Sequence, residues 1–163
     1  MLAAIAEEGV VPNLASAPWP YTMEGAMAFA RRPQAHRYPH FLVTVPGAQG
    51  TRIVGCAGLA LRENEAELGY WIARGYWVQG YATEAVRAVL RLAEVLGHQR
   101  VVASHFVDNP ASGRVLLKSG FRLTGNLSAR FGMARGEAAD SRSYAIELGV
   151  SCDQDDDGMM RAA

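Results

Sequence analysis

The stretch Glu67-Leu68-Gly69-Tyr70-Trp71-Ile72, followed by Val78-Gln79-Gly80-Tyr81-Ala82-Thr83-Glu84-Ala85, decides how this chain is read. From Glu65 to Ile72 the residues alternate: Ala66, Leu68, Tyr70 and Ile72 share one face, and Glu65, Glu67, Gly69 and Trp71 the other. A period of two is that of a half-buried strand. From Tyr81 to Leu96 the period becomes helical. Ala82, Ala85, Val86, Val89, Ala93 and Leu96 form one stripe, Arg87, Arg91 and Glu94 face outward, and Gly97 closes the helix. A strand that turns through Gly80 into a helix leaves free N–H groups at the positive end of the helix dipole, a ready site for a diphosphate. Read alone, Gly80 is equally a residue that only turns the chain, with Thr83 and Glu84 favouring a helix start.

Working outward, Val101 to Val107 is a near-continuous apolar run, as expected of a buried strand. Asn109-Pro110-Ala111-Ser112 then opens a short helix to Lys118, with Asn109 as N-cap, Pro110 at the first helical position and Gly120 at the end. Upstream, Phe41–Val45 and Arg52–Leu59 form a hairpin about the turn Pro46–Gly50. Residues 1–35 read as helical: Met1–Glu8 is a short helix, and a second starts at Tyr21-Thr22-Met23-Glu24, capped by Thr22 and packing Ala26, Met27 and Phe29 inward. Downstream, Leu127, Ala129, Phe131 and Met133 alternate, as do Tyr144, Ile146 and Leu148, joined through Arg135-Gly136-Glu137. The sum is an α+β domain. It has a single mixed, mostly antiparallel sheet, a central strand–helix–strand crossover and helices on both faces. Residues 1–150 are assigned to it. The tail from Ser151 carries four aspartates and little to bury, so disorder is expected there.

Composition excludes several classes. Lys+Arg and Asp+Glu balance at 16 each, so no global field recruits nucleic acid or an anionic membrane, and any anion site must be local. Cys56 and Cys152 match no metal spacing; a reduced, cytoplasmic chain without bound metal is expected. No apolar run approaches the roughly 18 residues of a membrane span. Ala15-Ser16-Ala17 imitates a signal-peptidase site, but no basic residue precedes it and Glu7 and Glu8 interrupt the run, so no signal peptide is expected.

The order of parts from Glu67 to Phe121 resembles the GNAT N-acetyltransferases, specifically the branch of the ribosomal-protein alanine acetyltransferases. The resemblance covers roughly residues 10–148. It implies that acetyl-CoA is a co-substrate, held by its pyrophosphate on main-chain N–H groups from Gln79 through Gly80, Tyr81 and Ala82 to Thr83. The family pattern there is Arg/Gln-x-x-Gly-x-Gly/Ala. Gly80 and Ala82 fit it, whereas Trp77 stands at the first position. The family usually begins with a strand ahead of its first helices, and this chain starts almost inside the helical region. The uncovered sheet edge is then a natural contact for a second copy.

The resemblance also implies roles for individual residues. Two central strands splay apart, so that free N–H groups around Trp71 and Ile72 bind the acetyl carbonyl and pantetheine, with Gly69 allowing a bulge. Asn109 hydrogen-bonds the pantetheine arm, and Ser112 is the candidate acid for the departing thiolate. Lys118 reaches a CoA phosphate or only complements its helix C-terminus. Glu67 is the candidate general base, or else a solvated strand carboxylate like Glu65. An α-amine with a pKa near 8 is about a tenth neutral at pH 7, against about one in 2,500 for lysine, so an α-amine needs little more than a proton sink.

Other residues carry less. His105 and Asp108 can be drawn as an acid–base pair, but a satisfied histidine in a buried strand explains His105. His36, His40 and His98 show no ligand spacing. Trp19, Tyr21, Tyr38, Tyr70 and Trp71 either line a substrate pocket or pack. Arg130 and Arg135 either meet an acidic acceptor or decorate a solvated hairpin. The expected function is acetyl transfer to a primary amine, a protein N-terminus or a small molecule, by direct attack without an acyl-enzyme. The alternatives are a non-catalytic CoA- or partner-binding module of the same fold and an unrelated phosphate-binding domain.

Overall fold

The computed structural model describes Ile5, residues 9–48 and residues 50–149. The helix expected over Met1–Glu8 (Ile5 apart), Gln49 of the first turn and the tail from Ser151 lie outside the described residues. In chain order the elements are α1 (Met23–Arg31), β1 (His40–Val45), β2 (Arg52–Arg62), β3 (Glu65–Ile72), α2 (Tyr81–Val95), β4 (Arg100–Phe106), α3 (Pro110–Lys118), β5 (Arg122–Gly132) and β6 (Glu137–Glu147). They build a six-stranded sheet in the order β1-β2-β3-β4-β6-β5. β3 and β4 are parallel and joined by α2; every other neighbouring pair is antiparallel. No described helix is long and apolar enough to cross a membrane.

Side-chain alternation along β3 divides the protein into two layers. Ala66, Leu68 and Tyr70 face a core built with Leu59, Val101, Val86, Leu90 and Ala93 of α2, and Leu116 of α3. Trp71, on the other face, packs against Val10, Val11 and Ala17 of the front segment. Helices and the front segment thus cover both faces, as the alternating pattern requires. Glu63 and Asn64 both take positive φ, 49° and 69°, which suits the two-residue turn joining β2 to β3.

Several expectations are corrected. Thr22 caps α1, its Oγ1 accepting from Gly25 N at 3.1 Å, and Ala26 is buried, but Met27 is exposed. One residue is 100° of helix, so packing Ala26 turns Met27 outward. Val107 lies beyond β4 and is exposed. Leu127, Phe131 and Met133 do alternate, yet all are exposed. Period fixes which residues share a face of the edge strand β5, and says nothing of what covers that face. Gly69 makes no bulge, because the β2–β3 register runs unbroken from Gly55↔Ile72 to Arg62↔Glu65.

Candidate functional site

β3 and β4 pair only through Ala66↔Val101 and Glu67↔Val102. Beyond these, Leu68–Ile72 and Ala103–Phe106 diverge, while β4 keeps its partner β6 as far as Phe106↔Ser141. The sheet is therefore split at its centre. Ala73 N donates to Val54 O at 2.8 Å, and alternation in an antiparallel ladder puts Trp71 on the same side, towards β2. The main-chain groups of Leu68, Tyr70 and Ile72 point across the split instead. The donor role expected of the Trp71 N–H is thus corrected: Tyr70 and Ile72 supply the open N–H groups, and Trp71 contributes its ring.

The split opens on the start of α2. Gly80 takes φ +90°, and Val78 takes φ +63°, an unusual conformation for a β-branched residue. Helices α1 and α3 are capped by the side chains of Thr22 and Asn109, whereas α2 has no side-chain cap. Glu84 N bonds Gly80 O at 3.0 Å, leaving the N–H groups of Gly80, Tyr81, Ala82 and Thr83 without a partner among the described residues. These four residues line a cavity of 330 Å³ together with Ile72, Asn109, Ser112 and Lys118. Its charged lining among the described residues is Arg114 and Lys118, both cations. Gln79 does not line it; its amide turns back to Gly75 O at 3.1 Å. Trp77 Nε1 donates to Ile72 O at 2.6 Å, so the residue in the Arg/Gln position ties the turn to the end of β3.

Tyr70, Trp71 and Ser112 line this cavity and a second one of 590 Å³ on the Trp71 face of the sheet. The Tyr70 hydroxyl donates to Ser112 O at 2.9 Å and lies 2.7 Å from Ser112 Oγ. Its one proton serves the carbonyl, so Ser112 Oγ–H is the donor in the shorter contact. Burial pushes the Tyr70 phenol up to about 12, a rise opposed by the Ser112 hydrogen bond. Gly113 sets this contact: a Cβ there would meet His105 Nε2 at 2.6 Å and Tyr144 Oη at 2.9 Å. A glycine inside a short helix costs about 1 kcal/mol relative to alanine, which is a signal of close approach that reading Asn109–Lys118 only as helix punctuation passes over.

In the larger cavity Glu67 is held rather than free. Arg130 Nη2 donates to Glu67 Oε2 at 3.0 Å and Arg130 Nη1 to Oε1, with Ser104 Oγ also donating to Oε1 at 3.3 Å. Arg62 Nη1 stands 3.7 Å from Oε2. A carboxylate offers about four lone-pair sites, and these groups occupy or flank all of them. Glu67 is thus no solvated carboxylate: three of its lone-pair sites are filled, and the fourth, on Oε2, is flanked by Arg62. Arg130, expected on a solvated hairpin, is 18% exposed at this position.

The remaining candidates divide between packing and cavity lining. His105 is buried, with Nδ1 donating to Phe106 O at 2.7 Å and Nε2 accepting from Tyr144 at 3.1 Å. Asp108 is not its partner. Arg135 holds that carboxyl through bonds of 2.7 and 2.9 Å and keeps it below the usual carboxylate range. Arg135 also donates to Pro12 O, strapping the front segment to the β5–β6 hairpin. Tyr21, Tyr70 and Trp71 line the larger cavity, Tyr38 packs on His98, and Trp19 is exposed. Among the described residues no three His, Cys, Asp or Glu side chains gather as metal ligands.

A family profile described as the acetyltransferase (GNAT) domain matches residues 2–122. The chain belongs to the GNAT acetyltransferase family. It is 36% identical over 94 residues to the uncharacterized N-acetyltransferase YoaA of Bacillus subtilis (strain 168), covering 57% of this chain and 52% of that protein. Over 63 residues it is 38% identical to the ribosomal-protein-serine acetyltransferase of Escherichia coli (strain K12), covering 38% of this chain and 35% of the other. The chain thus spans about half or less of the length of these GNAT relatives. The fold is similar to that of a GNAT phosphinothricin acetyltransferase from Sinorhizobium meliloti solved with AcCoA, with a TM-score of 0.63, 20% identity, and coverage of 79% of this chain and 71% of that one.

Proposed function

We propose that this protein is an acetyl-CoA-dependent N-acetyltransferase that acetylates a primary amine, a protein N-terminus or a small molecule, by direct attack. The observation that carries the reading is the uncapped start of α2 opening on the split between β3 and β4. The residues present fit acetyl-CoA: four unpartnered N–H groups and two cations meet its phosphates, and the split accepts an extended arm as an added strand. Bound there, acetyl-CoA supplies an acyl group activated as a thioester.

The chain's own residues divide the work. Gly80 to Thr83 receive the diphosphate, with a dipole contribution of about 0.3–1 kcal/mol, rising to about 2 when partly buried. Arg114 and Lys118 receive further phosphate charge. Asn109 caps α3 through Oδ1, leaving Nδ2 for the arm. A split-facing N–H on the developing oxyanion is worth about 3 kcal/mol. Ser112 holds a transferable proton at Oγ. A thiol pKa of about 8.5 makes a thiolate a tolerable leaving group, so this proton helps modestly. Glu67 fixes Arg130, and an α-amine releases its proton to solvent. Cys56 lines the acceptor cavity, but burial pushes its thiol up to about 11, consistent with no acyl-enzyme.

The test is thiol release from acetyl-CoA across peptides and small amines, with competition by CoA and by ADP. Amine-dependent release that CoA suppresses and ADP does not is the expected result. CoA binding with release no faster than in Tyr70→Phe/Ser112→Ala would instead identify a non-catalytic module. Equal competition by ADP and CoA would identify a general phosphate-binding domain.

A further inference from the structure

Resting on the transfer reading above, we infer that the acceptor amine also carries an anionic group, a carboxylate or a phosphonate, received by Arg32 and Arg62. The cavity on the Trp71 face holds 590 Å³, within the range of about 300–1,000 Å³ for small-molecule sites. Its charged lining among the described residues is Arg32, Arg62, Arg130 and Glu67. Three guanidinium groups and one carboxylate line it, and Glu63, outside the lining, stands near Arg62, which leaves one cation in excess.

That carboxylate is not on offer to a cation, because Arg130 holds both of its oxygens. The Arg32 side chain has no acidic partner among the described residues. Arg62 stands 3.7 Å from both Glu63 and Glu67, too far for a hydrogen bond to either, so its donors are unfilled. The surplus is felt by a neighbour: His40, which also lines the cavity, is held below its ordinary pKa by burial and then by the charge of Arg32. In a cleft with low-dielectric walls such a surplus concentrates anions. A guanidinium fork matches carboxylate and phosphonate oxygens in pairs. A polyamine would add cations to a surface that already has too many. The phosphates of CoA do not answer this surplus, since Arg114 and Lys118 line the other cavity.

The experiment compares three acceptors that share one alanyl α-amine, with spermidine as the polyamine control. Binding of Ala-Ala, its C-terminal amide, an alanyl-aminoethylphosphonate and spermidine is measured by calorimetry without thioester, and turnover by thiol release. The two anionic acceptors are expected to bind at least about tenfold tighter than the amide, since a charge-assisted pair is worth 1.4 kcal/mol or more. The margin between the two identifies the preferred anion. The advantage shrinks with added salt, and it falls below about threefold in Arg32→Gln or Arg62→Gln. It stays in Arg31→Gln, whose arginine lies outside the cavity lining. Equal affinity for acid and amide, or tighter binding of spermidine, overturns the inference. Tight binding of the acids with no thiol release in any arm supports the anion site and overturns the transfer reading instead.

Discussion

The Tyr70 hydroxyl lies 2.7 Å from Ser112 Oγ and 2.9 Å from the Ser112 carbonyl, joining β3 to the first turn of α3 where the two cavities meet. The phenol thus accepts the Ser112 Oγ–H and fixes the direction of that hydroxyl. Tyr70→Phe leaves the carbonyl without its partner and frees the serine hydroxyl to rotate. We expect a stability loss of about 1–1.5 kcal/mol and a fall in turnover similar to that of Ser112→Ala. The double variant should be little worse than either single one, because groups acting as a unit do not add. Additive losses in thiol-release kinetics would show that the two act separately.

Glu67 and Arg130 answer each other across the acceptor cavity, 15% and 18% exposed. Arg130→Met strands the carboxylate, which should cost about 2–3 kcal/mol, below the figure for a fully buried pair. Glu67→Gln/Arg130→Met should recover at least half of that in urea melts. For activity, removing a general base costs about a hundredfold or more. Glu67→Gln is expected to lose less than about tenfold, with the pH profile of kcat/KM still following the amine. A hundredfold loss together with a shifted profile would identify Glu67 as the base.

These two contacts mark where the sequence stops being legible. The alternation of Glu65–Ile72, the stripe of α2 and the Asn109-Pro110 start of α3 are local patterns, and the structure keeps their boundaries within a residue or two. Tyr70 meets Ser112 across 42 residues and Arg130 meets Glu67 across 63. No periodicity encodes such pairings. The same limit explains Trp71: its period gives the face of the ring correctly, but the direction of its N–H depends on which strand is β2. The exposed ridge of Leu127 and Phe131 was invisible for the opposite reason, because alternation cannot tell a covered face from a bare one.

Gly113 lets α3 sit against His105 and Tyr144, and the first turn of α3 carries Ser112. In Gly113→Ala the added methyl meets ring and phenol atoms of a buried hydrogen-bonded pair. Overpacking of this kind costs about 1–3 kcal/mol, more than the helix gains from alanine. A lower melting temperature with a raised KM for acetyl-CoA is expected; a higher melting temperature would show that the pair gives way freely.

Val78 holds φ +63° on a fully exposed β-branched side chain just before the α2 turn. Asparagine tolerates this region far better. Val78→Asn should stabilise the fold by about 1 kcal/mol in urea melts. A loss would mean that the valine serves some purpose beyond its backbone angle.

Alkaline stability separates the two buried acids that face the acceptor side. Burial raises Cys56 from 9.0 to about 11 and Tyr70 from 10.0 to about 12. Between the unfolded and folded values each group keeps in the native state a proton that the unfolded chain releases. The unfolded state then binds fewer protons, so stability falls as pH rises. Nothing is lost below pH 9. From there Cys56 contributes a decline, joined by Tyr70 above pH 10, with a total on the order of 3 kcal/mol from each group. Urea midpoints measured from pH 8 to 11 should show this bend. Cys56→Ala should move its onset from pH 9 to 10, and adding Tyr70→Phe should remove most of the rest. An unchanged decline in the double variant would place the alkaline weakness in other groups, and the burial assigned to this pair would not be what sets it.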